Sequence, residues 1–174
     1  MPARTLASTG AGCCATASSE RCRLPARRSS ARSFRSCQVR KIVGLGVPVN
    51  VGPKSDVLAT FAETNDAPIL FRQGHFFLIH PAGGIVAAYR NCTHLGCAVP
   101  WSPSEDRFHC PCHQSQYDKH TAVVLYGPAP KPLQLFHISD TDAGLVVDTN
   151  PLNVIDRREN RWDPSVIEIA DTAG

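Results

Sequence analysis

The stretches "CTHLGC" (residues 92–97) and "CPCHQSQY" (residues 110–117) put four cysteines and two histidines into two short loops. A structural zinc ion takes four nitrogen or sulfur ligands, and Cys92, His94, Cys110 and His113 make such a set. That reading leaves Cys97 and Cys112 without a role. The surrounding segment, from Asn91 to about Leu133, has little aliphatic periodicity and contains the proline-rich "PAPKP" (128–132). A segment of that kind needs a covalent or metal staple in place of a large core.

Working outward, the flanks read as strands. "PILFRQGHFFLIHPAGGIVAAY" (68–89) predicts two or three, near 68–72, 75–80 and 84–89, punctuated by Gly74 and the Gly83-Gly84 pair. Two more are expected at 133–139 and 144–148, joined as a hairpin by "DTDAG". A weak helical period runs from Ser55 to Thr64, with a Ser or Asp side chain expected to cap it. No internal repeat is present. Beyond Pro151 the chain is polar, with Trp162 as the one anchor expected to pack back on the sheets.

The 174 residues, 43% of them apolar, fit one globular domain with a tail. The net charge of +3 is unevenly placed, because residues 1–41 hold nine Arg or Lys against the single acid Glu20. The rest has nine basic and fourteen acidic residues, near −5, which argues against nucleic-acid binding by the folded part. Residues 1–40, rich in Arg, Ser and Ala, read as an organelle transit peptide, with a disordered basic tail as the alternative. A twin-arginine export signal at Arg27 and Arg28 lacks the apolar stretch that should follow. The nearest candidate for a membrane span, Ile42 to Val51, is half of the ~18–20 residues needed to span a bilayer and is broken by Gly44, Gly46 and Pro48. Removing the tail removes Cys13, Cys14, Cys22 and Cys37, so the four cysteines of the two loops remain.

Cys-x-His, fifteen residues, then Cys-x-x-His, with a further cysteine in each loop, resembles the Rieske iron-sulfur family. The matching text runs from about Asn91 to Pro130 and includes "SQY" and the "GPAP" of Gly127 to Pro130. The extra cysteine pair, with "VPW" at Val99 to Trp101, is similar to the subunits of quinol-oxidising cytochrome complexes, especially the plastid and cyanobacterial kind. The fold this implies is all-β, a Rieske-like sandwich of antiparallel sheets over residues 41–150. A small cluster-binding subdomain (91–133) would be inserted in it, with a C-terminal extension from 151 to 174.

The resemblance implies a [2Fe-2S] cluster held by Cys92 and Cys110 on one iron and His94 and His113 on the other, with Cys97 and Cys112 as a disulfide between the loops. Two imidazoles in place of two thiolates make the site less negative. Such centres lie at roughly −150 to +300 mV, against roughly −400 mV for plant-type ferredoxins. Ser115 and Tyr117 are implied to donate hydrogen bonds to cluster sulfur. Leu95, Gly127 and Pro128 are implied to shield the cluster, and His113 to take up the proton of a quinol. His109, beside Cys110, is not expected to be a ligand, and His75, His80, His120 and His137 show no partner pattern.

The expected function is one-electron transfer from a plastoquinol-like quinol to plastocyanin or a c-type cytochrome on the lumen side of a thylakoid. A membrane complex would be reached through a separate anchor, and a bacterial periplasmic or membrane-associated setting is the alternative. A soluble Rieske ferredoxin serving an oxygenase or reductase, and a structural zinc or redox-sensing module, are the competing readings. Two positions depart from the family's pattern. Gln114 stands where glycine is usual, and the stretch from Tyr117 to Gly127 is one residue longer and lacks its turn glycine.

Overall fold

The computed structural model describes residues 46–171. The basic segment 1–40, the first residues assigned to the domain and residues 172–174 lie outside the described residues. In chain order the elements are β1 (Val49–Gly52), α1 (Lys54–Thr64), β2 (Ile69–Phe71), β3 (Phe76–Ile79), β4 (Gly84–Tyr89), β5 (Trp101–Ser102) and β6 (Arg107–His109). They continue with β7 (Gln116–Asp118), β8 (Val124–Tyr126), β9 (Leu135–Phe136), β10 (Ile138–Thr141), β11 (Gly144–Val147), β12 (Val154–Ile155) and, after a 3-10 turn, β13 (Ile169–Ala170).

The strands form three antiparallel sheets. The largest has the order β12-β9-β4-β3-β2, with β13 also paired to β4; β1-β11-β10 and β5-β6-β7-β8 are the others. β3 and β4 read as unbroken apolar runs because their sheet is covered on both faces. Successive side chains on a strand point to opposite sides. Phe76, Leu78, Ile85 and Ala87 therefore join a core with Val57 and Phe61 of α1 and Ile138, Leu145 and Val147 of the β1-β11-β10 sheet. Phe77, Ile79, Val86 and Ala88 join a second core with Val99, Phe108 and Tyr117 of the loop-bearing segment.

β4 pairs directly with β9 (Ala87↔Phe136, Ala88↔Leu135), so everything between them leaves the large sheet and returns to the neighbouring strand. The β5-β8 sheet is thus an insertion, fastened to the base by the ring contact of Phe77 with Phe108 at 5.0 Å. The all-β architecture with an inserted cluster-region sheet is what the sequence predicts. Among the described residues no helix is long and apolar enough to cross a membrane.

Three local expectations are corrected. The segment 133–139 is two strands, because the chain switches sheets at His137: β9 belongs to the large sheet and β10 to the small one. α1 has no side-chain cap; Pro53 stands at its N-cap with extended backbone, and the Ser55 hydroxyl bonds Asp56 instead. Proline presets the φ of the helix entry, and its carbonyl accepts from the N–H groups of Asp56 (3.1 Å) and Val57 (3.2 Å). The C-terminal stretch has more than one anchor, since Ile155, Trp162, Val166 and Ile167 pack on one core and Val154 and Ile169 on the other. Strands of two residues are too short to show a period in the sequence. Gly84 makes the docking of β13 possible, because a Cβ there would sit on the carbonyl oxygen of Ile169.

Candidate metal centre

Both cysteine loops are built on one backbone frame. In the first, the Cys92 N–H donates to the Cys97 carbonyl (2.9 Å) and the Gly96 N–H to the Cys92 carbonyl (2.8 Å). In the second, the Cys110 N–H donates to the Ser115 carbonyl (2.8 Å) and the Gln114 N–H to the Cys110 carbonyl (3.1 Å). The fifth residue of each loop is left-handed, Gly96 at φ 77° and Gln114 at φ 63°. Gly127 lies against the second loop: a Cβ there would come within 2.6 Å of the Ser115 Cα and 2.9 Å of the Gln114 carbonyl. The prolines that follow are held close to that loop by this lack of a side chain.

The frame sorts the six candidate side chains. Cys97 and Cys112 form a disulfide from loop to loop, with Cα atoms 6.6 Å apart. Cys92 and Cys110 are buried and unbonded. The sulfurs of Cys97, Cys110 and Cys112 lie within 4.8 Å of one another, but two of them are bonded to each other, so this trio is not a ligand set. The imidazoles of His94 and His113 meet edge to face, centroids 4.7 Å apart. His94 is half-buried and His113 exposed.

The hydrogen bonds around the sulfurs are unequal. Burial pushes the Cys92 thiol up, but the Tyr117 hydroxyl and the His94 backbone N–H stabilise its thiolate and bring it below its ordinary value. Cys110 is pushed up by burial, and the nearby Cys92 charge adds to this. Burial, and then the contact with Cys92, push Tyr117 up, so its hydroxyl stays protonated and donates to the Cys92 sulfur, at 3.2 Å. Tyr117 Oη also accepts from the Thr93 N–H (3.3 Å), and the Thr93 hydroxyl donates to the Lys131 carbonyl (2.6 Å).

Among the described residues, two buried side-chain atoms, Nδ1 of His94 and Oγ of Ser115, have no hydrogen-bond partner. Ser115 favours the Cys92 thiolate, but not at hydrogen-bonding geometry. Leaving such an atom unpaired costs about 1–3 kcal/mol, so both fit a group that supplies a metal ion to the nitrogen and an acceptor to the hydroxyl. Two thiols, two imidazoles and a hydroxyl donating to sulfur fit a [2Fe-2S] cluster with mixed ligation.

The sequence of this chain matches the Rieske [2Fe-2S] domain over residues 49–137, about half of its length. The chain belongs to the Rieske [2Fe-2S] domain family. Its cofactor is accordingly the Rieske-type cluster. The chain is 54% identical over 69 residues to the cytochrome b6-f complex iron-sulfur subunit 1 of the Cyanophora paradoxa cyanelle, covering 40% of this chain and 28% of that one. To the cytochrome b6-f complex iron-sulfur subunit of Synechococcus elongatus it is 63% identical over 51 residues, 29% of this chain and 28% of that one. The Rieske chain thus matches little more than a quarter of the length of these curated relatives. Among solved structures, the plasma membrane Rieske protein of Synechocystis PCC 6803 superposes with a TM-score of 0.41 at 29% identity, covering 57% of this chain and 97% of that one.

Residues away from the four candidate donors fall into two groups. His109 turns from Cys110 and spans Glu105 and Gln114. Leu95, 69% exposed, and Pro128 stand at the surface of their loops. Three histidines without a sequence pattern do have partners: His80 lies between Asp66 (2.7 Å) and Asp171 (3.1 Å), His120 donates to the His80 carbonyl, and His137 bonds Glu168. Their partners lie 14 to 91 residues away, beyond the reach of any local motif.

Sequence reasoning missed Arg157, only 6% exposed. Its guanidinium donates twice to the Leu133 carbonyl (3.2 and 2.5 Å) and once to the Thr121 carbonyl (2.7 Å), and burial lowers it to about 10. The partners are backbone oxygens, which leave no letter in the sequence. The missing turn glycine is also accounted for. Ala122 takes φ 53°, and Asp118 Oδ2 accepts from the His120 N–H and from both the N–H and hydroxyl of Thr121.

Proposed function

We propose that Cys92, Cys110, His94 and His113 hold the cluster, and that the chain passes single electrons from a quinol such as plastoquinol to plastocyanin or a c-type cytochrome. The observation that carries this is the pair of edge-to-face imidazoles, one half-buried with an unpartnered Nδ1 and one exposed, on the same two loops as two buried, unbonded thiols. When bound, the cluster supplies a site that takes and gives up one electron. Tyr117 stabilises the sulfur of Cys92 and Ser115 adds a second hydroxyl, which favours the more negative state. The disulfide limits separation of the loops, and Leu95 with the Gly127–Pro128 stretch keeps water from the thiols. His113, exposed at the tip, holds or releases a proton on the nitrogen that faces a quinol hydroxyl.

Membership in a cytochrome b6-f type complex and a place on the lumen side of a plastid membrane are part of this reading. The named relatives support it, and so does the basic, acid-poor segment 1–40. A redox titration across pH with low-temperature paramagnetic resonance tests it. A rhombic signal on reduction and a high potential that falls as pH rises are expected. A colourless, zinc-containing protein overturns the reading, and a low, pH-independent potential assigns the chain to the ferredoxins.

A further inference from the structure

The two loops share a frame, but the left-handed fifth position holds glycine in one and glutamine in the other. A residue with a Cβ is disfavoured there, by roughly a five-fold population penalty or more. Gln114 is also the residue directly after the exposed His113, so any slackness in its backbone is passed to that imidazole.

The side chain of Gln114 is not loose. Its amide oxygen or, with the amide turned, its amide nitrogen pairs with His109 Nε2 at 2.7 Å, its other end reaches the Pro111 carbonyl at 3.4 Å as the amide stands, and His109 Nδ1 donates to Glu105 at 2.8 Å. A side-chain amide carries both a donor and an acceptor, so Gln114 can meet either role of His109 Nε2. Glu105 sits in the turn between β5 and β6, where its N–H donates to the Ser102 carbonyl, and His109 ends β6. The chain of bonds therefore ties the outer side of the second loop to the β5-β6 hairpin, while Gly127 closes its inner side.

We infer that Glu105, His109 and Gln114 form a brace, and that Gln114 is a positioning residue which holds the left-handed turn after His113 and thereby fixes that imidazole. The inference rests on the reading of His113 as a ligand. Glycine needs no brace in the first loop, and the second loop replaces glycine's freedom with three side chains.

The test uses the full chain with its cluster and the variants Gln114→Ala, Gln114→Gly, His109→Phe and the double change Gln114→Gly with His109→Phe. Three quantities are read: the rate of cluster bleaching in air, the g-values of the reduced signal, and amide exchange at Gln114 and Cys110. Gln114→Ala and His109→Phe are each expected to raise bleaching and exchange about fivefold and to move the g-values in the same direction. Gln114→Gly returns to within about twofold of the parent, and His109→Phe adds nothing in that background. The brace is overturned if Gln114→Ala matches the parent, or if His109→Phe does equal harm with glycine at 114. A parent chain with no iron signal overturns the ligand role of His113 instead, and amide exchange still reads the turn.

Discussion

The loop at 92–97 and the loop at 110–115 close through the same two backbone bonds, yet they present their contents differently. The first is tied inward: the Cys92 sulfur and the Thr93 N–H both meet the buried Tyr117 hydroxyl, and Thr93 bonds the Lys131 carbonyl. The second is tied outward through Gln114 to His109 and carries the exposed imidazole. A shared frame thus gives one anchored half and one accessible half. That division suits a centre that must hold iron firmly and still meet a partner.

The strongest way to break the comparison is to cut the link between the halves. Replacing Cys97 and Cys112 together by alanine is expected to cost about 3 kcal/mol, from the chain entropy of a fifteen-residue closure. Thermal unfolding and the rate of cluster loss check it, and unchanged values for both would show that the loops hold without the bond. Next in size is Tyr117→Phe, which removes a donor from Cys92 and an acceptor from Thr93. A stability loss of about 1–2 kcal/mol is expected, together with a lower midpoint potential. Denaturant titration and redox titration read the two effects.

Gly96→Ala sharpens the comparison from the other side. The nearest atom to an added Cβ is Asn91 Oδ1 at 3.5 Å, an ordinary contact, so the cost is purely that of a left-handed alanine, about 1 kcal/mol. Its measured effect should match that of Gln114→Ala, because both leave an unbraced Cβ at the fifth position.

The smallest effect is a control placed away from both loops. Burial works against a charge on His80, but Asp66 and Asp171 outweigh it and raise the ring above 6.5. Its stabilisation is therefore complete below pH 6.5 and fades as pH rises through the raised folded value. The melting temperature of His80→Gln should lie furthest below the parent at low pH and approach it above neutrality, with the cluster signal unaltered. A gap that widens with pH would contradict this.

Much of the site was legible because its letters are local. Cys92, His94 and Cys97 fall within six residues, as do Cys110, Cys112, His113 and Ser115, so the spacing gathers the candidate donors, while their division into ligands and a disulfide came from the resemblance. The helix at 54–64, through a weak period, and the strands of 68–89, as apolar runs cut by Gly74 and the Gly83-Gly84 pair, were also legible, since those signals lie in neighbouring residues. The split of 133–139 was not, because a change of sheet at His137 leaves the apolar pattern intact. Arg157 was illegible for a different reason: its partners are the carbonyls of Thr121 and Leu133, which any residue would offer.

By itself the sequence determined the two loops with their candidate donors and the antiparallel strands around them, because each is written in side chains a few residues apart. Only the tertiary structure decided that β3 and β4 serve two cores, that His80 joins Asp66 to Asp171, and that Gln114 leans on His109. Those depend on the register between strands and on the paths of loops, which bring together groups that no short stretch of sequence contains.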